Sequence, residues 1–331
     1  MDMIMFGTRE DEKDAALVWA EKTGVNIETT TEILTMETVD KVKGKDGVLI
    51  QQTAKLDKAL YPVLSGMGIK QLATRSAGFD MFDLELAKKN GLVITNVPAY
   101  SPNAIAEFAV TASLNMIRHM DLIKRKVAQH DFSWNKQILS REVRSMTIGI
   151  VGTGRIGRIT GELFAGFGAE VIGFDLYKND EARKFLTYKD TIEELVEEAD
   201  LISIHMPATD DNYHLFNKEL FSKMKQDSYL VNTARGTIVN TRDLLAALES
   251  GKLAGAALDT YEHEHPFVNK DLKGVSIDDA SFNKLMERKD VFYTPHIAFY
   301  TETAVENLVE GSLNAVRDIL TKGASDFEVT L

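Results

Sequence analysis

The sequence predicts an α/β protein of two doubly wound parallel sheets, one unit inserted into the other. Three observations carry that expectation. Short apolar runs alternate with amphipathic stretches from end to end, the pattern of strands buried between helices. A glycine-rich turn follows a β-like run in the middle of the chain, at Gly152, Gly154 and Gly157, and not near its start. A last amphipathic segment, 302–320, is long enough to cross back onto the first unit.

In the first unit, strands are expected at 3–6, 47–50, 70–74 and 92–95, with helices at 11–22 and 55–66 between them. Ser101-Pro102 then supplies a cap and a first-turn proline for one long helix, 101–129, whose apolar residues recur at helical spacing. A polar segment, 130–145, precedes a second βα series with strands at 146–151, 170–175, 200–205, 228–233, 254–259 and 290–294. Six parallel strands with intervening helices match a dinucleotide-binding sheet of the Rossmann type. The expected division is a discontinuous first unit, 1–100 with 300–331, and an inserted unit, 101–299.

Composition narrows the chemistry. The 331 residues suit two domains at ~100–200 residues each, and the absence of cysteine rules out disulfides, cysteine-ligated metals and thiolate catalysis. A formal charge of −12 argues against nucleic acid as a partner. The opening MDMIMFGTRE does not read as a secretory signal, and no run approaches the ~18–20 apolar residues that span a bilayer. A cytoplasmic protein with no membrane partner is expected.

The segment MTIGIVGTGRIGRITG places its three glycines in a G-x-G-x-x-G between a β-like and a helical run. Such a turn needs small residues because a pyrophosphate must approach the backbone closely and the helix must pack near its strand. The next strand ends in Asp175, ~20 residues on, where a carboxylate accepts from the adenine-ribose diol. The same carboxylate disfavours NADP, whose 2′-phosphate would face a like charge. NAD is the expected cofactor, and no metal is expected.

Seven histidines compete for a role. His119 and His130 lie on or beside the long helix and read as surface or packing residues; His214 sits in a polar loop with no role assigned. His263 and His265 alternate with Glu262 and Glu264, a spacing that matches no recognised metal-ligand pattern. His205 and His296 are different, because each ends a strand, on the side where a doubly wound sheet receives its ligand. Arg235 ends the fourth strand of that series, where a guanidinium can hold a carboxylate bidentately; Asp259 ends the fifth, with Glu264 shortly after. A cation, a carboxylate and an imidazole at successive strand ends beside an NAD site suit hydride transfer.

These motifs, in order, resemble the D-2-hydroxyacid dehydrogenase family, and most of all its bacterial D-lactate branch: NVPAYSPNAIAEFA at 96–109, VGTGRIG at 151–157, FGAEVIGFD at 167–175, LVNTARG at 230–236, ALDTYE at 257–262 and TPHIAFYT at 294–301. The resemblance implies a flavodoxin-like substrate unit around an inserted NAD unit, reversible hydride transfer between NADH and pyruvate giving (R)-lactate, and a homodimer formed through the NAD unit, with helix 101–129 at the contact. It further implies Arg235 as the substrate-carboxylate and carbonyl ligand, His296 as acid/base and Glu264 as the carboxylate that holds it, with Glu262 a nearby competitor. Backbone N–H groups of Ser76, Ala77 and Gly78 would receive the substrate carboxylate, in a segment that reads RSAG where relatives often carry asparagine, valine, glycine. Tyr100 and Phe299 would border the substrate, with Gln52 near it. Arg155 and Ile156 would cover the pyrophosphate, while Met206, Pro207, Asn212, Thr233, Ala234 and Asp259 line the cofactor, which His205 also lines by its place at a strand end. Two competing readings remain: a relative acting on larger 2-oxo acids, and a non-enzymatic NAD-responsive binding protein, which the lack of extended flanking segments disfavours.

Overall fold

The computed structural model describes residues 1–52 and 54–330. The chain forms two compact units, Met1–Ser101 with Tyr300–Leu331, and Pro102–Phe299.

The first unit runs β1 (Asp2–Met5), α1 (Glu10–Thr23), β2 (Asn26–Thr29), β3 (Gly47–Ile50), α2 (Leu60–Gly66), β4 (Gln71–Thr74), α3 (Leu84–Lys89) and β5 (Val93–Thr95). Its strands are all parallel, in the order β2-β1-β3-β4-β5, the flavodoxin-like order. Every residue of β3 and β4 is buried, which is why both read as unbroken runs and not as alternations. One face packs Ile4, Ile50 and Leu72 against Leu60, Tyr61 and Leu64 of α2. The other packs Met3, Leu49 and Ala73 against Ala16 and Trp19 of α1 and Val309, Leu313 and Val316 of the closing helix, Glu302–Lys322.

Two details differ from the sequence reading. Strand β2 was not expected; it is an edge strand, and NIET is mostly exposed. Helix α2 starts at Leu60 and not at 55, because the chain before it is folded otherwise: Leu56 N donates to Met81 O (2.9 Å), and Asp57 Oδ1 accepts from Ala59 N (2.9 Å).

The second unit begins with α4 (Pro102–Ile117) and α5 (Met120–Ala128), followed by β6 (Thr147–Val151), α6 (Arg155–Gly166), β7 (Glu170–Phe174), β8 (Thr187–Tyr188) and α7 (Ile192–Glu198). It continues with β9 (Leu201–Ile204), α8 (Lys218–Lys223), β10 (Ser228–Asn232), α9 (Thr241–Glu249), β11 (Leu253–Leu258), α10 (Ala280–Glu287) and β12 (Val291–Tyr293). The expected long helix 101–129 is thus two helices. His119 adopts left-handed φ (52°) and breaks it, although the apolar spacing runs on through Met120 and Val127. Helix α4 lies in the core, with Ala109, Ala112 and Met116 clustered with Ile148, Val231 and Ala257, whereas α5 buries no residue.

The sheet has seven parallel strands, β12-β11-β10-β9-β6-β7-β8, one more than expected because the two-residue β8 adds an edge. Strand order reverses at β6, which pairs with β7 on one side and β9 on the other. The carboxyl ends of β6 and β9 therefore flank a switch point, the place where such sheets take a ligand. Among the described residues, no helix is long and apolar enough to cross a membrane.

Candidate active site

The turn after β6 is fixed by backbone proximity. Gly152 has φ +91°, and a Cβ there would lie 2.7 Å from the backbone carbon of His205, at the end of β9. A Cβ on Gly157 would lie 1.9 Å from Gly152 O, so α6 sits as close to its strand as a helix can. Gly154 is different: a Cβ there would meet nothing within 4 Å, and its φ of −63° suits any residue. Packing within the chain explains two glycines, whereas the third leaves open an exposed space at the start of α6. Arg158 N makes the first helical bond, to Gly154 O (2.9 Å), so the amides of Arg155 and Ile156 begin α6 without helical partners. An open cradle of this kind fits a pyrophosphate.

Asp175 follows β7. Its Oδ2 accepts from Thr153 N (2.6 Å) and its Oδ1 from Tyr177 N (2.9 Å). Thr153, between the glycines, was not singled out from sequence; its hydroxyl also bonds Tyr188 OH (2.6 Å), tying β6, β7 and β8 together at the carboxylate. The only sequence signal for it is its position inside the fingerprint.

At the end of β9, His205 Nε2 bonds Ser203 Oγ at 2.8 Å. Desolvation pushes its imidazole down to about 3, so it is uncharged in neutral solution and unsuited to donate a proton there. Met206 and Pro207 follow. Asn212 folds over them, donating to Pro207 O (2.7 Å) and accepting from Thr209 N (2.8 Å), so its amide shapes the loop. After β10, the neighbour of β9, Thr233 is buried, and its Oγ1 has no hydrogen-bond partner among the described residues. Ala234 N donates to Asn232 Oδ1 (3.0 Å), and Arg235 Nη1 to Ala234 O (2.9 Å).

His296 follows β12 with φ 59°, a conformation that costs a non-glycine residue on the order of 1 kcal/mol. Asp259, 2% exposed at the end of β11, holds it there. Its Oδ1 accepts from Thr294 Oγ1 (2.5 Å) and Ile297 N (2.9 Å), its Oδ2 from Ala298 N (2.8 Å), and its backbone oxygen from His296 N (2.8 Å). Burial pushes the Asp259 carboxyl above the usual range even though these donors pull the other way. Its strand end points to a place along the cofactor, but the Asp259 carboxylate itself is spent on the loop that carries His296.

The imidazole of His296 meets Glu264, Nδ1 to Oε1 at 2.7 Å, while Glu264 Oε2 accepts from Tyr261 N (2.9 Å). A carboxylate only accepts, so Nδ1 carries a proton and Nε2 is the ring nitrogen left for exchange. The competitor Glu262 turns elsewhere, to His214 and Thr241 N. Arg235, Glu264 and His296 thus stand after β10, β11 and β12, neighbouring strands of one sheet. Phe299 closes the same unit. Among the described residues no group of three or more histidines and carboxylates is arranged to hold a metal.

In the first unit, the loop after β4 carries Ser76, Ala77 and Gly78. All three carbonyls are occupied: Ser76 O by Val97 N (2.9 Å), Ala77 O by Asn96 Nδ2 (2.6 Å) and Gly78 O by Ser76 Oγ (2.6 Å). Among the described residues no hydrogen bond from the N–H groups of Ser76, Ala77 or Gly78 is found. Arg75 anchors the loop from beneath. It is fully buried, with Nε on Glu12 Oε1 (2.9 Å) and Nη2 on Phe6 O (3.0 Å) and Gly7 O (3.1 Å). In the same unit, Gln52 keeps a buried Oε1 without a partner among the described residues, and Tyr100 O accepts from Asn307 Nδ2.

Residues 110–298 match the family described as D-isomer specific 2-hydroxyacid dehydrogenase, NAD binding domain. The chain is 47% identical over 324 residues to a D-lactate dehydrogenase of Staphylococcus epidermidis, with 98% of each chain covered. It is 48% identical over 329 residues to a D-lactate dehydrogenase of Streptococcus agalactiae, covering 99% of this chain and 100% of the relative. Among solved structures it resembles a D-lactate dehydrogenase from Treponema pallidum (TM-score 0.92, 44% identity) and a D-2-hydroxyisocaproate dehydrogenase (TM-score 0.93, 38% identity), each over 100% of both chains. The chain belongs to the D-isomer specific 2-hydroxyacid dehydrogenase family, and its second unit is the family's NAD-binding domain.

Proposed function

We propose that this protein is an NAD-dependent D-lactate dehydrogenase interconverting pyruvate and (R)-lactate. The Glu264–His296 pair carries the reading of the chemistry, because it stands on the sheet that also bears the glycine turn, one strand end from Arg235. Full-length relatives named D-lactate dehydrogenase support the substrate. Gly152, Gly154, Arg155, Ile156 and Gly157 would hold the NAD pyrophosphate and Asp175 the adenine ribose. His205, Met206, Pro207, Asn212, Thr233, Ala234 and the Asp259 strand end would line the remainder.

Bound NADH supplies a hydride to the carbonyl carbon, and NAD accepts it in the reverse direction. The chain supplies the rest. Arg235 holds the substrate carboxylate and polarises its carbonyl, a task suited to a planar fork of donors. By resemblance to the family, the amides of Ser76, Ala77 and Gly78 would be a second ligand of the carboxylate, and Tyr100, Phe299 and Gln52 would border the side chain. His296 delivers a proton from Nε2 to the carbonyl oxygen as the alkoxide develops, and recovers it in oxidation. Glu264 keeps Nδ1 protonated and opposes the charge of the imidazolium.

The likeness to a D-2-hydroxyisocaproate dehydrogenase favours one second reading, a larger 2-oxo acid as substrate. NADH oxidation with pyruvate, 2-oxoisocaproate and phenylpyruvate separates the two: kcat/KM is expected to be highest for pyruvate. A preference for phenylpyruvate overturns the substrate while leaving the reaction class intact.

A cytoplasmic homodimer is part of the same proposal. Met120, Val127, Phe132, Trp134 and Leu139, on α5 and the segment after it, are 53%, 45%, 70%, 93% and 76% exposed, an apolar face that a second copy would cover. Sedimentation should give a dimer that Trp134→Glu weakens; a wild-type monomer removes the dimer from the proposal.

A further inference from the structure

The second unit holds another glutamate–histidine pair that the proposed reaction does not use. His214 Nε2 lies 2.7 Å from Glu262 Oε2, with side-chain exposures of 24% and 8%. The second oxygen of Glu262, Oε1, accepts from Thr241 N at the start of α9 (3.0 Å). Among the described residues, the one other titratable side chain paired with this carboxylate is His263, largely exposed, with Nε2 3.9 Å away.

The protonation of His214 follows from its neighbours. Asn240 caps α9, and its Oδ1 accepts from Asp243 N (3.2 Å), so its amide nitrogen is the atom 3.1 Å from His214 Nδ1. That nitrogen only donates, so Nδ1 offers a lone pair and the ring proton sits on Nε2, donated to Glu262. The network therefore selects one neutral tautomer.

Around it three loops are pinned together. His214, itself at φ 53°, donates from its backbone to Thr237 O (2.9 Å), and Phe216 N to Ile238 O (3.0 Å). Gly236 packs on the Tyr261–Glu262 peptide so closely that a Cβ would lie 2.1 Å from the Tyr261 carbonyl carbon. These are the loops after β9, β10 and β11, which carry Asn212, Arg235 and Glu264. Glu262 is two residues from Glu264 in sequence, so a shift in one is passed to the other.

We propose that the His214–Glu262 pair is a positioning brace: it locks these three loops in register and so orients Arg235 and the Glu264–His296 pair. Neither residue is among those assigned above to substrate or cofactor. The inference rests on the catalytic reading above, and its mechanism is geometric, since a misplacement near 1 Å at a reacting centre costs on the order of 100-fold in rate.

The test uses Glu262→Gln, His214→Phe, the double variant and His214→Gln in the full-length enzyme. Glutamine at 262 leaves one donor facing another, at either His214 or Thr241. Each of the first two variants should lower kcat for pyruvate reduction by about 10- to 100-fold, with a much smaller change in the KM for pyruvate. The double variant should lose no more than the worse single, because both remove one brace. His214→Gln, which can still donate to Glu262, should recover part of the loss. The proposal is overturned if the singles only lower the melting temperature while kcat well below unfolding stays within twofold, or if their losses multiply in the double variant. NADH titration by fluorescence keeps the two readings apart: a wild-type protein that neither binds NADH nor reduces pyruvate indicts the proposed function, whereas an active wild type with unaffected variants indicts the brace alone.

Discussion

Gly154 and Gly157 share one turn, yet replacing each by alanine should leave opposite signatures. At Gly157 the new Cβ would lie 1.9 Å from Gly152 O, a backbone atom with no flexible end to swing away. Relieving that overlap means separating α6 from β6, which costs at least the ~1–3 kcal/mol typical of overpacking. At ~2–4 °C per kcal/mol for a unit of this size, the melting temperature should fall by about 2–12 °C. At Gly154 the Cβ enters open space with φ −63° and ψ −162°, which alanine adopts freely. The unfolded chain loses freedom, so the ligand-free protein should hold its melting temperature or gain the equivalent of ~0.4–1 kcal/mol. The same methyl stands where a pyrophosphate must touch the backbone, so NADH affinity should fall at least ~10-fold, or ~1.4 kcal/mol. Calorimetry without ligand and NADH titration by fluorescence read the two effects separately. A Gly154→Ala variant that binds NADH as the wild type does would show that nothing approaches this turn, and the reasoning from open space would fail.

Further outcomes follow from the same contacts. Glu264→Gln preserves an acceptor at the 2.7 Å contact with His296 but removes its charge, the ~1–1.5 kcal/mol by which a charged hydrogen bond exceeds a neutral one, so kcat/KM for pyruvate should fall about 5- to 12-fold with NADH binding intact; a loss under twofold removes Glu264 from the mechanism. Asp175→Asn removes the charge that would oppose a 2′-phosphate, and the ratio of kcat/KM for NADH over NADPH should drop by at least ~10-fold; an unchanged ratio places cofactor selection elsewhere. His205 titrates at about 3 when folded against 6.5 for a free imidazole, so below pH 6.5 the unfolded chain takes the proton first and stability is lost as pH falls toward 3. At pH 5 that is about 1–2 kcal/mol, allowing for partial exposure. Between pH 7 and 5 the wild type should lose that much more stability than His205→Gln in denaturant titrations, and parallel curves would contradict it.

The pattern of what the sequence revealed has a physical basis. Buried parallel strands such as GVLI and SYLVN carry apolar runs that only a two-sided core explains, and both were found. Edge strands carry no such demand, so NIET at β2 and the two residues of β8 left no trace. The break between α4 and α5 was hidden for the opposite reason. A histidine in left-handed φ does the work usually signalled by glycine, while Met116, Met120 and Val127 preserve the helical spacing across it. For the candidate site, strand-end positions and motif spacing put Arg235, Glu264 and His296 forward because each belongs to a local run. His214 belongs to none. Its meaning lies in a contact with Glu262 across 48 positions, and no local pattern encodes a long-range pair. Asp259 shows the same limit, since its place on a strand end was legible but its grip on residues 294–298 was not.

If His296 and Arg235 present a 2-oxo acid in one orientation, the hydride of bound NADH would reach one face only. The configuration of the lactate formed from pyruvate and NADH tests it most directly. The expected product is (R)-lactate with stoichiometric NADH oxidation; (S)-lactate, or no oxidation of NADH by pyruvate, refutes the assignment.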